Sequence, residues 1–167
     1  MQNEPHILFV DDDLDTRELM ACMLGCSGFR VSVVGSSLEA SKLAATECFD
    51  AMVLDNWMPE LNGVELCKRI KMYDQEIPVI FCSGAVTRQD LLAAAKVGAQ
   101  AYLAKPIDTD ELITVLHNAI DARRKRLKFF HSSVTNLEKF SPHDVPHSST
   151  EIKRISCGLR DVTRQVI

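Results

Sequence analysis

At 167 residues, with 46% hydrophobic and 25% charged side chains, the chain has the make-up of one soluble domain plus an appendage. The opening MQNEPHILFV has no basic stretch and only four apolar residues in a row, so it reads as no secretory signal, and nothing approaches the roughly 18 apolar residues of a membrane span. Charge is divided: residues 1–120 carry 9 Lys+Arg against 18 Asp+Glu, whereas residues 121–167 carry 10 against 5. An acidic body with a basic tail suggests two jobs or one electrostatic coupling.

Five short apolar runs punctuate the chain in order: Ile7–Val10, Val31–Val34, Ala51–Leu54, Pro78–Cys82 and Ala101–Ala104. Between and after them the periodicity predicts helices over Leu14–Cys26, Leu38–Cys48, Val64–Met72, Leu91–Val97 and Glu111–Ala122. Strands without polar alternation suit a sheet buried on both faces, and their alternation with helices suits parallel βαβ units. A five-fold pattern over about 120 residues points to an open doubly wound sheet rather than an eight-fold barrel. Asp15-x-x-Glu18 resembles a capping box, and Gly28, Gly63 and Gly98 mark helix ends or turns. The six cysteines, without any CxxC pair, read as reduced core thiols of a cytoplasmic protein. Met52, Met58 and Met72 read as packing, and His6 and His117 as surface or satisfied polar groups.

In an open parallel sheet, ligands gather at the carboxyl ends of the strands. The residues that end each run are therefore informative: Asp11-Asp12-Asp13, then Asp55, then Ser83-Gly84, then Lys105-Pro106. A parallel sheet would bring three or four carboxylates, a hydroxyl and an amine to one edge. Crowded carboxylates repel, and a divalent cation together with the Lys105 ammonium would relieve them. An oxygen-only set fits Mg²⁺ (or Mn²⁺), while the lack of His and Cys at these positions argues against zinc. Asp13 reads as a helix-start residue favoured by the helix dipole, not as a ligand.

Residues 5 to about 122 resemble a response-regulator receiver domain of the CheY-like superfamily, through ILFVDDD, VLDNWMPELNG, IFCSGA and AYLAKP in that order. The resemblance implies a flavodoxin-like (βα)5 fold with strand order 2-1-3-4-5 and a phosphoacceptor at Asp55. It implies a metal held by Asp11, Asp12, Asp55 and the main-chain carbonyl of Trp57. Lys105 would pair with a phosphoryl oxygen, the Lys105–Pro106 peptide would be cis, and Ser83 and Tyr102 would form the switch. A histidine kinase or phosphotransfer protein would be the donor, in a cytoplasmic two-component phosphorelay, and the chain would be a switch rather than an enzyme on other substrates. The face of the fourth helix, fifth strand and fifth helix would meet a downstream protein. Gly84 stands where the family usually has Ala, and Trp57 where residues controlling phosphoryl lifetime vary; a bulky indole there predicts slow dephosphorylation.

The receiver is expected over residues 1–125. Residues 126–167 read as a linker followed by an amphipathic interaction helix, with Ile152, Ile155, Leu159, Val162 and Val166 on one stripe, or as the start of a truncated effector. A homodimer could form through that helix or through the switch face. The basic run Arg123–Arg126 leaves a DNA-binding regulator as the alternative. A Mg²⁺-dependent aspartyl phosphohydrolase would want a second Asp where Trp57 stands. A flavin-type cofactor site would want hydroxyl and glycine residues where Asp11–Asp13 stand.

Overall fold

The computed structural model describes residues 4–59 and 61–135. Five strands, β1 (His6–Val10), β2 (Arg30–Val34), β3 (Ala51–Asp55), β4 (Val79–Ser83) and β5 (Ala101–Ala104), alternate with α1 (Leu14–Cys26), α2 (Ser37–Thr46), α3 (Gly63–Tyr73), α4 (Arg88–Lys96) and α5 (Thr109–Thr135). All pairings are parallel, in the order β2-β1-β3-β4-β5, as expected from the resemblance.

Because strand side chains alternate between faces, the sheet has two cores. Leu8, Val10, Met52, Leu54, Val79 and Phe81 pack against α2, α3 and α4. Ile7, Phe9, Val53, Ile80 and Cys82 pack against α1 and α5, meeting Met20, Leu24, Leu112, Leu116 and Ile120. Burial on both sides holds for β1, β3 and β4, which are buried throughout; β2 and β5 lie at the sheet edges and are half-exposed.

Helix starts obey local chemistry, with one departure from expectation. The first helix is capped by Asp13, whose carboxylate accepts the Thr16 amide at 2.7 Å, not by a box on Asp15 and Glu18. The Asp11–Asp13 turn sets the cap two residues earlier, which leaves Asp15 in the first turn. A reciprocal capping box does open α4, between Thr87 and Asp90. Gly28 and Gly98 lie just past the ends of α1 and α4 with φ of 85° and 72°, the left-handed conformation that glycine adopts without strain.

The last helix does not stop at Ala122 but runs on to Thr135, past the boundary expected at residue 125. Its basic run is spent on the body. Arg123 is buried, donates to the carbonyls of Phe49 (2.7 Å) and Asp50 (3.2 Å), and pairs with Asp74. Arg124 faces Asp50 at 3.6 Å and Arg126 binds Glu76 at 3.0 Å. The charge asymmetry of the sequence is thus in part an intramolecular clamp of α5 onto the loops before β3 and β4. The apolar stripe on Ile152–Val166 lies outside the described residues.

The expectation of reduced core thiols fits Cys67 and Cys82, where burial pushes the thiols up to about 11 and about 12. Cys22 and Cys26 are free but exposed on α1. Among the methionines, Met52 is buried while Met72 is 73% exposed, being on the solvent side of α3. His6 is buried with its Nε2 2.8 Å from the Ser32 hydroxyl, and the His117 ring lies tilted against that of Phe29, 4.9 Å between centroids. No helix among the described residues is long and apolar enough to cross a membrane.

Candidate functional site

The carboxyl ends of β1, β3, β4 and β5 meet at one edge of the sheet. Asp11 leaves β1 with its backbone still tied to β2 (amide to Val34 carbonyl, 3.2 Å) and is 1% exposed. Asp55 closes β3, level with Cys82 of β4, and is 5% exposed. Lys105 comes directly after β5, its amide bonded to the Ser83 carbonyl at 2.8 Å and its peptide to Pro106 cis. From there its ammonium reaches Asp11 Oδ2 at 2.7 Å and Asp55 Oδ2 at 2.8 Å. Residues separated from it by 94 and 50 positions in the chain are therefore joined by one amine.

Each carboxylate is also held from its own loop. Oδ1 of Asp55 accepts the Trp57 amide at 3.0 Å, and Oδ1 of Asp11 accepts the Asp13 amide at 3.0 Å. Asp12 is exposed beside them, and ligand oxygens of Asp11, Asp12 and Asp55 all lie within 4.8 Å of one another. Three carboxylates face one ammonium, so the cluster carries an excess of negative charge that a cation would offset. Burial raises the pKa of Asp11, with Lys105 and the Asp13 amide working against it. For Lys105, burial pulls down, but the Asp11 and Asp55 carboxylates outweigh it and hold the ammonium above its ordinary range. A hard, oxygen-only donor set with one ligand open to water fits Mg²⁺ or Mn²⁺, which keeps part of its hydration.

Ser83 is fully buried at the end of β4, and its hydroxyl donates to the Ala85 carbonyl at 2.8 Å while accepting the Ala85 amide. Beyond it, a Cβ built on Gly84 would meet nothing within 4 Å, so the glycine is not required by crowding. Tyr102 sits half-buried on β5 with its ring 5.9 Å from that of Phe81 and its hydroxyl enclosed. Trp57 is 62% exposed at the rim.

Two contributors, Arg17 and Asn56, are not apparent from the sequence, and a third, Gly63, shows there only as a turn or helix-end residue. Arg17, in the opening turns of α1, donates from one guanidinium nitrogen to the carbonyls of Asp11 (2.6 Å) and Asp12 (2.9 Å) and so braces the acidic loop. Gly63 lets α3 begin directly against the Asp55 carbonyl. Asn56, buried after Asp55, reaches toward Asp90 on α4. A lone Arg in a helix and an Asn after a strand look like ordinary surface or turn residues; only the i+5 and i+6 spacing of Arg17 from the two aspartates hints at its contact.

The family profile described as "Response regulator receiver domain" matches residues 7–117. Among curated proteins, the response regulator SaeR of Staphylococcus aureus (strain USA300) is 30% identical over 151 residues, which span 84% of this chain and 66% of that protein. The chain thus spans just under two thirds of the length of that relative. Among solved structures, a response regulator receiver domain from Clostridium thermocellum is 30% identical with a TM-score of 0.69, covering 74% of this chain and 98% of that one. The receiver domain of the sensor histidine kinase PA1611 from Pseudomonas aeruginosa PAO1, solved with a magnesium ion in its active site cleft, is 27% identical with a TM-score of 0.65, covering 71% and 98%. A CheY-like receiver domain from Methanospirillum hungatei JF-1 shares the fold at a TM-score of 0.71 and 23% identity, covering 74% and 98%.

Proposed function

Because the chain belongs to the response regulator receiver domain family of two-component signalling, we propose that Asp55 accepts a phosphoryl group from a phosphohistidine of a kinase or phosphotransfer protein. The carrying observation is the single amine of Lys105 bridging Asp11 and Asp55, with Asp12 in ligand reach. A carboxylate oxygen of Asp55 attacks phosphorus, the phosphorus–nitrogen bond breaks, and the imidazole leaves with a proton.

The chain's residues supply position and charge. The Trp57 amide and Lys105 orient the Asp55 carboxylate before transfer. Lys105 then exchanges a carboxylate for a phosphoryl oxygen, so its charge pairs with the anion that forms. Asp11, Asp12, Asp55 and the Trp57 carbonyl would hold Mg²⁺ (or Mn²⁺), which supplies charge neutralisation for the incoming phosphoryl oxygens. Ser83 turns from the Ala85 carbonyl to the phosphoryl group, a rearrangement its present hydrogen bond makes necessary.

The consequence is a shift in population of the α4-β5-α5 face, which binds a downstream protein or a second copy of the chain. Residues 1–125 carry this switch, and α5 runs on from it without a break to Thr135.

Incubation with Mg²⁺ and acetyl phosphate or phosphoramidate, followed by intact mass, tests the reading. One added phosphoryl group is expected, absent after Asp55→Asn; a mass gain that survives this substitution, or none in the unmutated chain, overturns it.

A further inference from the structure

Among the described residues, four buried side-chain polar atoms have no hydrogen-bond partner, and two of them are a donor and an acceptor beside the candidate site: the Tyr102 hydroxyl and Oδ1 of Asn56. An enclosed hydroxyl and an enclosed amide oxygen both forgo water without return, an arrangement native structures rarely leave unused.

Their placement is set by the register. Asp55 lies opposite Cys82, and the Asn56 amide bonds the Cys82 carbonyl at 3.1 Å, which sets Asn56 level with Ser83. Phe81, two residues earlier on β4, lies opposite Tyr102. Tyr102 packs on the α2-α3-α4 side of the sheet. Burial raises the phenol of Tyr102, while the side chains of Ser83 and Asn56 act on it in the opposite direction.

The other end of the Asn56 side chain points to α4. Its Nδ2 is 3.5 Å from Asp90 Oδ1, the outer limit of a hydrogen bond. The second oxygen of Asp90 accepts both the amide and the hydroxyl of Thr87, which is the cap of α4. In the main chain, the Asn56 carbonyl accepts the amide of Gly63, the first residue of α3. One residue next to the phosphoacceptor therefore touches α3, the cap of α4 and the neighbourhood of Tyr102.

We propose that Asn56 is a positioning residue: its carboxamide oxygen takes the Tyr102 hydroxyl and its amide holds Asp90, so that displacement of the loop after Asp55 is carried to α4 and β5 together. This rests on Asp55 as phosphoacceptor, and it adds a route beside the one through Ser83. Nothing in it requires Asn56 to touch the phosphoryl group.

A double-mutant cycle tests the contact without any phosphoryl group. Asn56→Ala, Tyr102→Phe and the double variant are unfolded in urea; the double variant is expected to be more stable than additivity predicts, by roughly fivefold in the unfolding constant. Additive effects overturn the proposal.

A second measurement addresses transmission. In Tyr73→Phe protein labelled with 3-fluorotyrosine, Mg²⁺ and beryllofluoride are expected to move the Tyr102 fluorine resonance. Asn56→Ala should take up beryllofluoride at the same concentration, read from Trp57 fluorescence, yet move that resonance less than half as far. An undiminished movement overturns the proposal. If the unmutated chain takes up no beryllofluoride, the phosphoacceptor reading fails instead, and the urea cycle alone decides on Asn56.

Discussion

Gly63 lies against the main chain of Asp55: a Cβ added to it would stand 2.6 Å from the Asp55 carbonyl oxygen and 2.8 Å from the Phe81 ring. Neither neighbour can yield, since one is backbone at the end of a central strand and the other a fully buried aromatic. The start of α3 and the end of β3 are therefore pressed together at a point where only glycine fits. Gly63→Ala is expected to cost about 1–3 kcal/mol, the range for overpacking a dense core. It should also slow phosphorylation by acetyl phosphate by displacing Asp55. Urea unfolding beside intact mass checks both, and a variant as stable and as reactive as the unmutated chain would refute the contact.

Arg17 makes the geometry of the acidic loop depend on α1. Its guanidinium is pinned between the carbonyls of Asp11 and Asp12 and the backbone of Gly35, where an added Cβ would come within 2.7 Å of it. Arg17→Ala leaves two carbonyls without this charged donor and lets the loop relax. Mg²⁺ affinity, tracked by Trp57 fluorescence, is expected to fall several-fold, and Gly35→Ala should act in the same direction by pushing the guanidinium aside. Unchanged affinity in both variants would mean that the brace is not needed for the metal.

At the opposite end of the sheet, Arg123→Met should destabilise by about 1–3 kcal/mol, because it leaves two buried carbonyls without their donor and the partly exposed Asp74 carboxylate without its counter-charge. Arg123 is only 3% exposed, and its guanidinium serves the Phe49 and Asp50 carbonyls and the Asp74 carboxylate at once. Arg126→Met breaks an exposed pair with Glu76 and should cost less than about 1 kcal/mol. The contrast between the two, measured by urea midpoint at constant slope, is the test; equal small losses would show that α5 is not clamped there.

His6 gives stability a pH dependence whose sign can be worked out. Burial, with Arg30 adding to it, lowers its pKa below 6.5 in the folded chain, against the opposing pull of the Cys48 backbone, Glu47 and Asp50. The unfolded chain therefore takes up the proton first as pH falls. The stability associated with neutral His6 is complete above pH 6.5 and is lost as pH drops through the folded value. In His6→Gln this part of the slope should vanish as pH falls below 6.5, and a slope identical to the unmutated chain would assign it to other groups.

Trp57 is 62% exposed at the rim of the site, so shielding of an acyl phosphate needs the indole to fold inward after transfer. The expectation is slower phosphate release from the unmutated chain than from Trp57→Asn, with a blue shift of Trp57 emission on phosphorylation. Equal release rates with unshifted emission would leave the indole a surface residue.

Much of this protein is written locally. Central parallel strands are buried on both faces, so their apolar runs and the polar residues that end them stand out without any partner in view. Asp11, Asp55, Ser83 and Lys105 are each visible in that way, and parallel pairing alone obliges them to share an edge. Helix ends are less legible, because an Asp at position 13 and an Asp at position 15 compete for the same cap and the turn geometry chooses. The amphipathic pattern of α5 gives out at Ala122, yet the helix continues. Arg123 and Arg126 find acidic partners 49 and 50 positions away, and Arg124 finds Asp50, in loops whose proximity no periodicity reports.

The order of residue types along the chain determined the layered sheet and the edge where its carboxylates gather, because backbone pairing and apolar burial act through repeating short-range patterns. The tertiary structure alone decided which groups brace that edge: Arg17 on two carbonyls, the Asp55 carbonyl against Gly63, and Asn56 beside Asp90. Such contacts depend on distances of a few ångströms between elements far apart in the chain, and side-chain identity carries no record of them until packing brings the elements together.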